Sequence, residues 1–281
     1  MSPRPAIVTG LHAEPALATI TLTWEPLAWE PLIDHYRVYA VRGSSASGAP
    51  REKDLLAKTV YPRLVHDGLD AAGEEWTYTV LAVSDAGARG KPSQPLTATS
   101  QPSVTATGRE VATIGSFDGR TLEFRFAPDS YSSIPDEYPD AVIEYAQGAD
   151  GPGSAWPYLL PGPGDGWAGN HGYRARWTVT LDEAPAEDHD LAIWLVDTTR
   201  LGGTLAVSVG GQHVRDIELP TGATRGSREG DATVPGSTLL RSFHEFAIPA
   251  DALQAGENVV DLHLVEGGWV AWDAVGLFAR E

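Results

Sequence analysis

The chain has 281 residues, carries 38 acidic against 20 basic side chains for a net charge of -18, and contains no cysteine. Its length accommodates two domains, each able to bury its own core; its charge excludes partners held through a phosphate backbone or an anionic lipid surface; the lack of thiols excludes disulfides and thiolate metal sites. No segment approaches the roughly 20 consecutive apolar residues of a membrane helix.

The opening "MSPRPAIVTG" lacks the apolar core of a secretory signal. The expectation is a cytoplasmic location for the chain as it stands, and an extracellular one if it is a piece of a longer exported protein. Thirty glycines and 21 prolines punctuate short runs rich in Val, Thr, Leu, Tyr and Trp, and none keeps a helical period for long. The fold class expected throughout is all-β.

In residues 1–100, "ATITLTWEP", "IDHYRVYAV" and "WTYTVLAVSDAGARGKPSQPLTATS" have the spacing of a small Greek-key sandwich. With Trp24 at the position of a core tryptophan, and with "AVSDAG" followed by "KPSQP", this region resembles a fibronectin type III domain. One departure concerns that family's corner tyrosine: its position holds Trp76, with Tyr78 two residues later. The expectation is that the corner hydroxyl bond is replaced or shifted.

Residues 101–108, "QPSVTATG", read as a short linker. Beyond it the composition changes. The three lysines, Lys53, Lys58 and Lys91, all precede the linker, whereas six of the nine tryptophans follow it. In residues 109–281 the segment "YRARWTVTL" sets Tyr173, Ala175, Trp177, Val179 and Leu181 on one face and Arg174, Arg176, Thr178 and Thr180 on the other. Further strand-like runs, "LAIWLV", "TLAVSV", "FHEFAI", "VVDLHLV" and "VAWDAVGLF", supply enough strands for a jelly roll of two sheets. Between two of them, Ala250 to Ala255 reads as a short helical connector stopped by Gly256.

The stretches "IGSFDGRTLEF", "YPDAVIEYAQGADGPGSAWPY", "YRARWTVTLDEAP", "STLLRSFHEFAIPADALQAGENVVDLHL" and "GGWVAWDAVGLFARE" keep the order found in the C-terminal domain of family 4 polysaccharide lyases, the rhamnogalacturonan lyases. The chain resembles the fibronectin-like and C-terminal domains of those enzymes without the catalytic domain that precedes them. The resemblance implies a galactose-binding-like, carbohydrate-binding-module-like jelly roll over residues 109–281. It also implies a non-catalytic role beside a catalytic lyase domain or subunit, directed to acidic, uronate-containing polysaccharide or oligosaccharide.

Chemistry within the chain itself is tested by its residues. Proton abstraction beside a uronate carboxylate needs a base and a cluster that neutralises the acid. No lysine follows Lys91, so the lysine of the resembling lyases has no counterpart here; the remaining histidine candidates are His171, His213 and His244. The parity of His244 with Phe246 and Ile248 turns it toward the core. The phosphate-binding, Gly-x-Ser-x-Gly and His-Glu-x-x-His motifs are absent from the sequence. The chain is therefore expected not to be catalytic on its own, with two alternatives kept: a module that docks on a partner, and a small lyase using His171 with nearby arginines.

A sugar presents an apolar ring face and a rim of hydroxyls, so its site needs an exposed aromatic side chain and polar neighbours. The Gly/Pro-rich stretch 148–173 offers Trp156, Tyr158, Asp165, Trp167, Asn170 and His171. A second loop offers Arg225, Arg228 and Arg241, whose guanidinium forks suit a carboxylate. Trp269 and Trp272 lie three positions apart and are expected on opposite faces of a strand, one of them available to ligand, whereas Trp177 and Trp194 are expected to pack. No cofactor is required. The one metal to accommodate is a structural calcium, with Glu123 and Asp273 as the candidate ligands once the sandwich closes.

Overall fold

The computed structural model describes residues 4–28, 32–43, 50–222 and 239–280. The chain divides into two compact units, Met1–Thr107 and Gly108–Glu281. Both are built from antiparallel strands apart from one parallel pairing and isolated bridges. Among the described residues no helix is long and apolar enough to cross a membrane.

In the first unit β1 (His12–Ala16), β2 (Thr19–Thr23), β3 (Ile33–Arg42), β4 (Leu55–Thr59), β5 (Arg63–His66), β6 (Glu75–Ser84) and β7 (Leu96–Thr99) form two sheets, ordered β1-β2-β5 and β4-β3-β6-β7. The alternation in "TITLT" turns Ile20 and Leu22 inward, where they meet Val38, Tyr78 and Val80 from the facing sheet. Trp24 is buried and sets its ring edge to face against Tyr36, with centroids 5.4 Å apart.

The corner hydroxyl bond is indeed shifted. Trp76 sends its indole N–H to Glu74 Oε2 at 2.7 Å. The buried Tyr78 instead places its hydroxyl 2.8 Å from His66 Nδ1. The stretch expected as a short linker is bonded in part to the first unit: the N–H of Gln101 donates to Ala16 O and that of buried Ser103 to Ala71 O. Small residues followed by Pro read as a spacer, yet the two N–H groups tie this stretch to the end of β1 and to the turn at Ala71.

In the second unit one sheet runs β10-β17-β12-β15, with β8 pairing β17 alongside β10. Its strands are β8 (Arg109–Gly115), β10 (Leu159–Pro161), β12 (His189–Thr198), β15 (Ser242–Ile248) and β17 (Trp269–Ala279). The other runs β14-β13-β16-β11-β9, from β9 (Val142–Ala146), β11 (Arg174–Leu181), β13 (Gly203–Val209), β14 (Gln212–Leu219) and β16 (Gly256–Gly267). The turn Ala250–Ala252 carries the chain from β15 in the first sheet to β16 in the second, so this connector closes the sandwich.

The core between the sheets holds Trp177, Trp156 and Trp272, the last two with ring centroids 5.6 Å apart. Cross-strand pairing of Leu191 with Leu277 and of Ile193 with Val275 and His244 fixes the core side of β12, β15 and β17. The other side of that sheet is also aromatic. Trp194 packs against Phe117 at 5.1 Å and Phe243 at 4.6 Å, and Phe117 against Phe278 at 6.0 Å. Strand β17 is consequently covered on both faces and is buried along its whole length, Asp273 included.

Candidate functional site

The stretch 148–173 does not form one open loop. Its middle, Leu159–Pro161, pairs with Trp269 to Ala271 of β17, and this short strand draws the preceding aromatics inside. Trp156 and Tyr158 are 0% and 1% exposed, so neither can stack on a sugar, contrary to expectation. The glycines and prolines on both sides concealed a strand too short to show alternation. Trp269 and Trp272 need the same correction. Both are buried, because both faces of β17 are packed and not one alone.

After β10 the chain is pinned to the start of β17: Gly162 N–H donates to Gly268 O at 2.6 Å and Gly164 N–H to Gly267 O at 2.8 Å. Asp165 then caps a single turn of 3-10 helix, Gly166–Ala168, by accepting the N–H of Trp167 on Oδ1 at 3.0 Å. Its Oδ2 accepts the hydroxyl of Tyr131. Asn170 closes the loop in a left-handed conformation (φ 58), donating its N–H to Asp165 O at 2.9 Å and its side-chain amide to Pro163 O at 3.0 Å. The loop is thus bonded internally while Trp167 at its tip stays 86% exposed. Burial and the neighbouring Asp165 carboxylate push the Tyr131 phenol well above its ordinary acidity range, so it remains a donor.

Trp167 stands at the edge of a cleft of about 680 Å³ lined by Asp129, Tyr131, Asp165, Arg200 and Leu201, with Trp269 at its floor. Arg200 is exposed and has no carboxylate partner among the described residues. Of the residues expected to bind, Asp165, Trp167 and Trp269 line this cleft, and Asn170 braces it from behind. His171 is exposed outside it.

Tyr131, Asp129, Arg200 and Leu201 were missed by sequence reasoning. They come from two connections, "DSYSS" and "TTRLGG", that carry no motif. The only available signal was an arginine immediately beyond an apolar strand.

Arg241, expected to contact ligand, is half-buried and lies over the 116–120 loop, with Nη2 3.4 Å from Gly119 O. Arg225 and Arg228 lie outside the described residues. Glu123 and Asp273 do approach one loop, but as acceptors from backbone. Glu123 Oε1 takes the N–H of Ser116 at 2.9 Å, and Asp273 Oδ1 takes those of Asp118, Gly119 and Arg120 at 3.2, 2.6 and 3.2 Å. Three N–H dipoles aimed at the oxygen a calcium would need do not fit that ion. Among the described residues no cluster of three or more potential His, Asp or Glu ligands is formed.

The three histidines considered as bases do not line the cleft. His244 faces the core beside Ile193, and burial with nearby Arg215 lowers its pKa to about 4. His213 is exposed, 3.6 Å from Asp216. What the cleft offers chemically is an aromatic platform, a cation and hydroxyl-binding acceptors.

Residues 110–277, more than half of the chain, match the protein family "CBM-like: Polysaccharide lyase family 4, domain III". No curated protein matches the chain. Among solved structures, the kinase region of twitchin from C. elegans is similar at 20% identity over 44% of this chain, with a TM-score of 0.30; the chain spans 23% of that protein. The fibronectin type III domain of human fibronectin type III domain containing protein 3 is similar at 16% identity over 37% of this chain and 93% of that one, with a TM-score of 0.30. A family 35 carbohydrate binding module from an environmental isolate is similar at 14% identity over 38% and 66%, with a TM-score of 0.28.

Proposed function

Because the chain belongs, through residues 110–277, to the CBM-like domain III family of polysaccharide lyase family 4, we propose that it is a non-catalytic carbohydrate-binding region in which the cleft beside Trp167 holds one sugar of a polysaccharide. The observation that carries this reading is Trp167 itself. An indole that is 86% exposed, on a loop whose polar groups are engaged internally, leaves an apolar plane facing water at a cleft. A pyranose ring covers such a plane while its hydroxyls reach acceptors such as Asp129 at the rim.

The polysaccharide we propose is uronate-containing. Arg200 supports this as a fork-shaped donor in a cleft that holds no other Lys or Arg among the described residues. The physiological context we propose is a tail that keeps a catalytic lyase domain near its polymer. Calorimetry of the full chain and of Trp167→Ala against pectic and neutral polysaccharides tests the reading. Heat released by the parent protein and absent in the variant is expected; equal binding by both would overturn it.

A further inference from the structure

The cleft beside Trp167 does not end at Leu201. Leu201 and Gly164 are a wall shared with a second cleft of about 380 Å³, whose remaining lining includes Glu218, Thr221, Glu266 and the backbone at Gly203 and Gly267. Resting on the carbohydrate reading above, we propose that the two clefts are neighbouring subsites for one oligosaccharide, and that the second takes a neutral sugar and rejects a uronate.

Glycines occupy four of the positions that line the second cleft: Gly164, Gly202, Gly203 and Gly267. Gly203 (φ 147) would place a Cβ 2.1 Å from Glu266 O, and Gly267 (φ 98) would place one 2.0 Å from Gly202 O. Only glycine lets these strand ends pass so closely. This close passage sets Glu218, Glu266 and Thr221 around the cleft, where their polar groups suit hydroxyls.

Charge sets the selectivity. Thr204 pairs with Glu218 on one side and Glu266 on the other, so both carboxylates share a face with it, while Leu205 beside it turns into the core. Both glutamates are exposed. Among the described residues no Lys or Arg lines this cleft, unlike the first, where Arg200 stands. Ionised carboxylates are acceptors alone, so they bond sugar hydroxyls and repel another carboxylate. Leu201, 67% exposed, is an apolar ridge over which the chain passes from one subsite to the next.

The test is calorimetry of the full chain with oligogalacturonides and with neutral galacto-oligosaccharides, each from monosaccharide to tetrasaccharide. The neutral series is expected to tighten on going beyond the monosaccharide, by about tenfold or more, while the uronate series gains little. The double variant Glu218→Gln, Glu266→Gln is expected to tighten the longer oligogalacturonides by about three- to tenfold. The inference is overturned if neutral oligomers bind no better than the monosaccharide, or if the double variant leaves the ratio between the two series unchanged. In either of those cases, continued loss of binding in Trp167→Ala keeps the single-site reading standing. No effect of Trp167→Ala, or no binding by any member of either series, removes both.

Discussion

Tyr131 and Trp167 are tied to the same carboxylate: Oδ2 of Asp165 accepts the phenol of Tyr131, and Oδ1 accepts the backbone N–H of Trp167. The aromatic platform is therefore held in place by a buried acid whose other ligand comes from a segment 34 residues away in sequence. Asp165→Ala removes both bonds and leaves the phenol of Tyr131 without its acceptor. Hydrogen bonds to a charged group are worth about 1.5–3 kcal/mol each, so destabilisation of about 2–4 kcal/mol is expected. Tyr131→Phe removes the acceptor's partner alone, at about 1–2 kcal/mol. Urea unfolding gives the stabilities. Glycan affinity should fall in both variants, because Trp167 loses its fixed orientation; undiminished affinity would show that the platform positions itself.

The two tryptophans of the 148–173 stretch separate packing from binding. Trp156→Ala empties a fully buried position next to Trp272 and Tyr145 and is expected to cost about 3–5 kcal/mol. Trp167→Ala removes an exposed ring and is expected to change stability by no more than about 0.5 kcal/mol while abolishing glycan binding. Thermal unfolding and calorimetry on the same samples check both. A strongly destabilised Trp167→Ala would mean that the ring packs rather than presents itself.

The contrast shows which parts of the fold the sequence discloses. Strand β11 was legible because one of its faces is core and the other solvent, which prints an alternation of eight residues. His244 was legible for the same reason, its parity with Phe246 and Ile248 being kept in the paired strand. Strand β10 was not, because three residues inside a Gly/Pro-rich stretch print no period, and Trp156 and Tyr158 were read as exposed in consequence. Trp269 was misjudged because a strand covered on both faces has no exposed side, whatever its parity. The cleft's remaining residues, Tyr131 and Arg200, meet Trp167 only through tertiary closure.

Arg200 carries the proposed preference for uronate. Replacing it by Ala should weaken binding of a uronate by about two- to fivefold and leave a neutral sugar unaffected, since an exposed ion pair contributes about 0.2–1 kcal/mol. The loss should shrink as sodium chloride is raised, through screening. Arg200→Lys should recover part of the affinity, because it keeps the charge without the planar fork. Titration of all three proteins at low and high salt measures this; an equal loss for neutral and acidic sugars would assign Arg200 to hydroxyl binding instead.

Two buried groups act in opposite directions on stability as pH changes. His244 has its pKa lowered to about 4 from 6.5 by burial and by Arg215. The unfolded chain takes up that proton first, so the contribution of His244 is present above about pH 6.5 and is lost as the pH falls toward 4. Asp273 has its pKa raised by burial to about 7 from 3.8, against the pull of its three backbone donors. The native state holds that proton longer, so its contribution is present below about pH 3.8 and is lost as the pH rises toward 7. Asp273→Asn keeps an oxygen for the N–H groups of Asp118, Gly119 and Arg120 but removes the titration. Its melting temperature should therefore gain on the parent protein progressively from pH 4 to 7, steepening the rise that His244 causes. The complementary His244→Gln should remove the loss toward pH 4. Parallel curves for Asp273→Asn and the parent protein across this interval would mean that the loop donors keep Asp273 ionised throughout, so that its carboxylate anchors residues 118–120 as an anion at every pH tested.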